Sequence, residues 1–155
     1  MSNEINSVAG QLVGIPVGQV YTAGKGIKID NVNKVVSVDE TELWTGDLKG
    51  QNSTANLSDS VINFERIKVY GHTDDGSEYG WSYELETYGL TRHYQIGVSV
   101  SNNGWSKWFV FGLNGTVLTN VCGKALTWGS ATWSNINNNW GITKVVGINR
   151  IAGGN

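Results

Sequence analysis

The chain of 155 residues is poor in several things at once: it has one cysteine, one proline, one methionine and two histidines, and only 15% of it is charged. The single Cys122 excludes an internal disulfide and any cysteine-rich metal site, and it reads as a small buried hydrophobe rather than a reactive thiol. No run of like charge exceeds two residues, and 11 Lys and Arg against 13 Asp and Glu leave a net charge of −2. Phosphate binding needs clustered cations, so neither nucleic acid nor insertion at an anionic membrane is expected. No apolar run approaches the roughly 20 residues that span a bilayer. The opening MSNEINSVAG also lacks the basic start and long apolar core of a signal peptide. A chain of this kind that works outside a cell is expected to leave it by lysis or by a route that it does not itself encode.

What remains is a β composition. There are 21 glycines, 7 tryptophans and 6 tyrosines among many Asn, Ser, Val, Ile and Thr, with little Ala, Leu, Glu or Lys to fill helices. No apolar pattern repeats at i, i+3, i+4, i+7 for long enough to make a helix. Trp81, Tyr83, Leu85 and Thr87 alternate with Ser82, Glu84 and Glu86, and Tyr94, Ile96, Val98 and Val100 alternate with His93, Gln95, Gly97 and Ser99. Both are expected as half-buried strands. The short link Tyr88-Gly89-Leu90 predicts that they form a hairpin, and Asn102-Asn103-Gly104 predicts a turn after the second. Further strands are expected over 105–113, 116–121, 125–133 and 143–151, and upstream over 65–70 with a polar loop at 72–78. Short strands about ten residues apart, split by Gly and Asn turns, predict an all-β antiparallel sandwich of the jelly-roll kind.

The first 40 residues differ. Residues 10–38 carry five glycines, one proline and one aromatic, with short β-like groups at Ile27 and Ile29 and at Val35, Val36 and Val38. Such a segment buries too little to fold alone. It needs its own body or copies of itself, and the second arrangement makes it a stalk or neck. The boundary is expected near Asp39-Glu40, giving residues 1–39 as stalk and 40–155 as head.

At this point the residues resemble a family. "YTAGKGIKIDNVNKVVSVDETELWTGD" resembles the junction in bacteriophage tail fibres and tail-tip receptor-binding proteins, where Tyr-x-x-Gly-x-Gly-Ile-x-Ile leads through Leu-Trp to a β-sandwich head. "NLSDSVINFERIKVYG" is similar to a strand of such heads, and "ITKVVGINRIAGG" to their closing strand. The likeness covers both ends and the first third of the body, about half the chain; residues 81–140 carry none of it. It implies a homotrimeric, non-enzymatic adhesin on the virion tail of a phage or prophage. Its partners would be an upstream fibre or baseplate protein and a bacterial surface saccharide or protein receptor.

The residues themselves give catalysis little support. His72 is expected in a polar turn with Asp74 and Asp75, a conceivable metal cluster that lacks the Asp-x-Asp-x-Asp-Gly pattern and downstream Glu of a calcium loop. Glu84 and Glu86 share one strand face instead of opposing each other as glycosidase carboxylates do. No nucleophile elbow, phosphate-binding loop or zinc helix is present. No cofactor and no metal are expected.

The tryptophans point to binding, because sugar rings stack their C–H faces on indoles while nearby amides fix hydroxyls. Trp44, Trp81 and Trp128 are assigned to packing. Trp105 and Trp108, three apart on a strand, face opposite ways, so one of them is expected at the surface. Trp133 and Trp140 bracket the Asn-rich loop SNINNN. The expected contact surface is therefore Trp133, Asn135, Asn137, Asn138, Asn139 and Trp140, with Trp105 behind them; the bland alternative is a loop that only joins two strands. Three functions compete: a fibre receptor-binding head, a monomeric carbohydrate-binding module or lectin, and a structural trimerisation or capping domain without a ligand.

Overall fold

Alternation along the strands decides what is buried, and two antiparallel sheets close over the buried set. The computed structural model describes residues 6–8, 11–13, 24, 26–33, 35–73, 79–87, 94–102, 104–136 and 138–151. The short N-terminal strands are β1 (Asn6–Val8), β2 (Gln11–Val13), β3 (Ile27–Asp30) and β4 (Val35–Val38). The body follows with β5 (Glu40–Leu48), β6 (Ser53–Asn56), β7 (Phe64–Thr73) and β8 (Tyr79–Glu86). It continues through β9 (Tyr94–Asn102), β10 (Trp105–Asn114), β11 (Val117–Thr127), β12 (Ser134–Asn135) and β13 (Trp140–Arg150). One turn of 3-10 helix, Val61–Asn63, precedes β7. The first large sheet has the order β5-β13-β7-β8 and the second β12-β11-β10-β9, with β6 also on β11. The protein is thus an all-β antiparallel sandwich.

Between the sheets, Leu43, Ile67, Val69, Trp81, Trp140, Ile142 and Val145 of the first meet Val98, Phe109, Phe111, Leu113 and Leu118 of the second. Aromatic rings fill much of the gap. Trp81 stands 6.0 Å from Phe109 and 6.2 Å from Phe111, and Trp140 stands 4.8 Å from Phe109 in a stacked arrangement. Gly123 makes room for this, since a Cβ there would fall on the Trp140 indole.

Several expectations change. β8 and β9 do not form a hairpin: β8 pairs with β7 and β9 with β10, so the link after Thr87 carries the chain from one sheet to the other. Both strands do turn alternate residues inward, which is why the pattern alone resembled a pair. The expected strands at 116–121 and 125–133 are one long strand, β11, followed by a loop at 128–133. The last strand starts at Trp140 instead of residue 143. His72 lies inside β7 and is buried, because Asp47 and the side-chain-free Gly141 pack against its imidazole. Asp74, Asp75 and His93 lie outside the described residues. The turns at Gly104 and Gly115 are where the Asn-Gly pairs put them, with φ of 81 and 57.

The thin N-terminal strand forms a hairpin. β3 and β4 pair Ile27 with Val38 and Ile29 with Val36, closing through a turn in which the Asp30 carboxylate accepts the Val32 and Asn33 amides. Ile27 and Val38 stay exposed on one face of it. The chain changes sheets at Asp39. Its backbone oxygen accepts the Asn149 amide at 2.8 Å, and its carboxylate accepts that of Arg150 at 3.1 Å. β5 begins at the next residue.

Asp59 holds the start of β7 to the end of β13. Its carboxylate meets the Arg150 guanidinium at 2.6 Å and accepts from the Asn63 side chain at 2.8 Å and the Ser60 amide at 2.7 Å, while Arg150 lies over the Phe64 ring. The Arg150 bond, then the Asn63 bond, hold its carboxyl below the ordinary value of 3.8. Asp59→Asn is expected to cost about 1–2 kcal/mol, a fall in Tm of roughly 2–8 °C. A depressed folded-state value means this contribution is complete above 3.8 and lost as pH falls through the lower folded value. Urea midpoints for wild type and variant should therefore converge in acid. A gap that stays constant to about pH 2 would contradict the clamp.

Candidate functional site

β10 sends Lys107, Phe109 and Phe111 to the interior and, by alternation, Ser106 and Trp108 to the outer face of the second sheet. Across the strands, Trp108 stands opposite Ser99 on β9 and Lys124 on β11, and Lys124 stands opposite Asn135 on β12. One row therefore runs Ser99, Trp108, Lys124, Asn135. The next row runs Ser101, Ser106 and Leu126. Trp133 is exposed in the loop just before β12, two residues ahead of Asn135.

Trp128 folds back over that second row. Its indole N–H donates to Ser106 Oγ at 3.3 Å, and its amide donates to the Gly104 carbonyl at 2.7 Å. Ser106 Oγ in turn lies 3.4 Å from Ser101 Oγ. Trp128 and Trp133 bracket the exposed loop Gly129-Ser130-Ala131-Thr132, pinned by the Ser130 hydroxyl accepting the Thr132 amide at 3.1 Å. Trp108 leans over β9 where Gly97 offers no side chain; a Cβ there would come 2.6 Å from its Nε1. The ring can then lie along the sheet with its other side open.

Exposure separates these tryptophans from the two in the core. Trp108, Trp128 and Trp133 are 41%, 62% and 47% exposed, whereas Trp81 is 8% exposed and Trp140 is fully buried. The outer face of the second sheet is thus a platform of three open indoles separated by hydroxyls, one ammonium and one amide. Flat apolar faces interleaved with hydrogen-bonding groups suit a ligand that is itself flat, apolar on its faces and polar at its edges.

The expected contact residues separate accordingly. Trp133 and Asn135 lie on the platform. Asn138 and Asn139 are exposed in the turn before β13, away from the rows just described, with the Asn138 amide oxygen near Gly50; Asn137 lies outside the described residues. Trp140 is a correction: it opens β13, pairs with Thr73 in the centre of the first sheet and stacks on Phe109, so no ligand can reach it. Trp105 is exposed at the mouth of β10, on the inward register but beyond the closed end of the core. Sequence reasoning missed Trp108 and Trp128. Trp108 was legible from its alternation with Phe109 and Phe111; Trp128, assigned to packing, is exposed because β11 has already ended at Thr127.

Two other places carry polar chemistry. His72 Nε2 lies 2.8 Å from Asp47 Oδ1, and Lys49 Nζ lies 2.9 Å from Asp47 Oδ2. Partial burial raises the Asp47 carboxyl, but the bonds from His72 and Lys49 outweigh it and hold the group below 3.8. The imidazole is enclosed and its Nε2 is taken, so it has no path to a substrate and locks β5 to β7. A cleft of about 480 Å³ opens beside Glu65, Arg66, Glu86, Thr87 and Ile151. Arg66 there is spent on Glu84 at 2.5 Å. No group of three His, Cys, Asp or Glu able to hold a metal occurs among the described residues. No protein-family model and no curated protein matches the chain.

Proposed function

We propose that this chain is the receptor-binding head of a phage or prophage tail fibre, carried on a short stalk, and that it attaches the virion to a bacterial surface polysaccharide. The observation that carries the reading is the sorting of tryptophans: three gather on one open face while Trp81 and Trp140 build the core. Exposed indoles are costly to keep on a soluble surface and mark a contact site. The motifs around Tyr21, Leu43-Trp44 and Ile148 add the resemblance to fibre proteins. In this reading residues 1–39 belong to the stalk, three copies associate, and an upstream fibre or baseplate protein holds them in the tail of a particle released by lysis. The exposed Ile27 and Val38 pair on the hairpin supports association, because further copies would cover it.

The test is adsorption of the fluorescently labelled protein to a panel of bacterial cells, with its solution mass measured by light scattering. Trp128→Ala is expected to weaken adsorption about tenfold, the worth of one aromatic stack, with Tm unchanged. Full adsorption by that variant on every strain bound by wild type would sink the platform. A mass near three chains is expected. A mass near one chain, with adsorption still tryptophan-dependent, would favour the second reading, a monomeric carbohydrate-binding module, which is served by a platform built wholly from one chain.

A further inference from the structure

The charges of this protein are divided along the chain. All 13 carboxylates of Asp and Glu lie at or before Glu86, and residues 87–155 contain 5 of the 11 Lys and Arg and no acid. Residues 1–86 therefore carry −7 and residues 87–155 carry +5, which together give −2. The fold turns this into an asymmetry between faces. The strands of the first sheet hold Glu40, Glu42, Asp47, Glu65, Glu84 and Glu86, whereas β6, β9, β10, β11 and β12 hold no carboxylate.

Lys124 stands in the middle of that acid-free sheet. It is half-buried on the outer face, opposite Trp108 on one side and Asn135 on the other. Lys144 and Arg66 of the first sheet are matched with Glu42 and Glu84, but among the described residues no carboxylate lies within ion-pair distance of Lys124. A lone ammonium flanked by an open indole and amide and hydroxyl groups, with no competing anion on its sheet, is complementary to a negatively charged ligand.

We infer that the platform takes an acidic polysaccharide whose carboxylate is carried on the sugar ring, a uronate; the inference rests on the tryptophan platform proposed above. Cross-strand neighbours have their Cβ atoms about 4.5–5.5 Å apart. A pyranose stacked on Trp108 carries its own C5 carboxylate one bond off the ring, which places the anion within reach of the long Lys124 side chain. Ser99 and Asn135 in the same row are placed for the hydroxyls. A phosphodiester lies between rings, off the stacked face, and would not need an ammonium beside the indole.

The experiment measures binding of the full chain to polygalacturonate, alginate and hyaluronate on a sensor surface, with fully methyl-esterified polygalacturonate as the uncharged counterpart. Wild type is expected to bind at least one of the three uronates. Where that is polygalacturonate, esterification should weaken binding about tenfold, and added salt should weaken it as well. Lys124→Gln is expected to lose about tenfold on the acid form and nothing on the ester, Lys124→Arg to recover part of the loss, and Trp108→Ala to lose binding to both. Equal binding of acid and ester, dependent on Trp108 but not on Lys124, would overturn the uronate inference and leave the platform standing. Binding that ignores Trp108→Ala would reduce the effect to general charge attraction and overturn it too. So would no binding to any of the three uronates by protein that still adsorbs to cells. Loss of tryptophan dependence in the cell assay is the separate result that would remove the platform itself.

Discussion

Trp140→Ala is expected to cost about 3–5 kcal/mol, the range for truncating a large buried aromatic without refilling its space. In a chain of this size that lowers Tm by roughly 6–20 °C. The magnitude follows from position: Trp140 is fully enclosed, stacks on Phe109 across the sheets, touches Trp81 and lies against Gly123. Neither sheet can collapse into the void, because Trp81 is itself held against Phe109 and Phe111. Thermal unfolding followed by circular dichroism gives the measurement, and a loss under about 1 kcal/mol would mean that the inter-sheet aromatic cluster is not the core. Trp140→Phe keeps a ring in place and should recover more than half of the loss.

The opposite pattern is expected for Trp108→Ala combined with Trp128→Ala. Each ring contributes about one stacking interaction, the order of 1–1.5 kcal/mol, so the pair should weaken adsorption to bacterial cells roughly a hundredfold. Stability should stay within about 0.5 kcal/mol of wild type, since both side chains are open and removing them leaves no cavity. The two rings reach neighbouring rows of the sheet, Trp108 from within β10 and Trp128 by way of Ser106. They can serve one ligand together, and a deficit in the double variant other than the sum of the singles would report that coupling. Adsorption retained in the double variant, with Trp133 intact, would move the site away from this face.

The β class was legible because its signals are local. The alternation around Trp81 and Val98 and the Asn-Gly turns at Gly104 and Gly115 depend on neighbours in the chain alone. Pairing was not. Nothing in residues 88–90 says that β8 and β9 belong to different sheets, since that is decided by which long-range partners, β7 and β10, compete for them. The direction of each tryptophan was only half legible: periodicity gives the two faces of a strand without naming the covered one. Trp140 belongs to the core with Ile142 and Val145 after it, and the exposed Asn-rich stretch before it hides that in the sequence. On Trp128 the sequence offered the β-like run through Leu126, and no local residue marks the strand's end at Thr127. The electrostatic division is visible in the bare sequence, but it gains meaning only once four of the five strands of the second sheet are seen to come from the acid-free half.

The loop at 128–133 has a consequence for how this protein can change. Among the described residues it contributes nothing to the buried core, yet it ends in two of the three platform rings. Surface connections of this kind accept substitution and insertion at little cost to the scaffold. Trp108, by contrast, is fixed in the middle of a strand between Gly97 and Lys124. The platform therefore pairs an anchor fixed in a strand with an editable flank, so that the flank can be rebuilt without disturbing the residues that fold the sandwich.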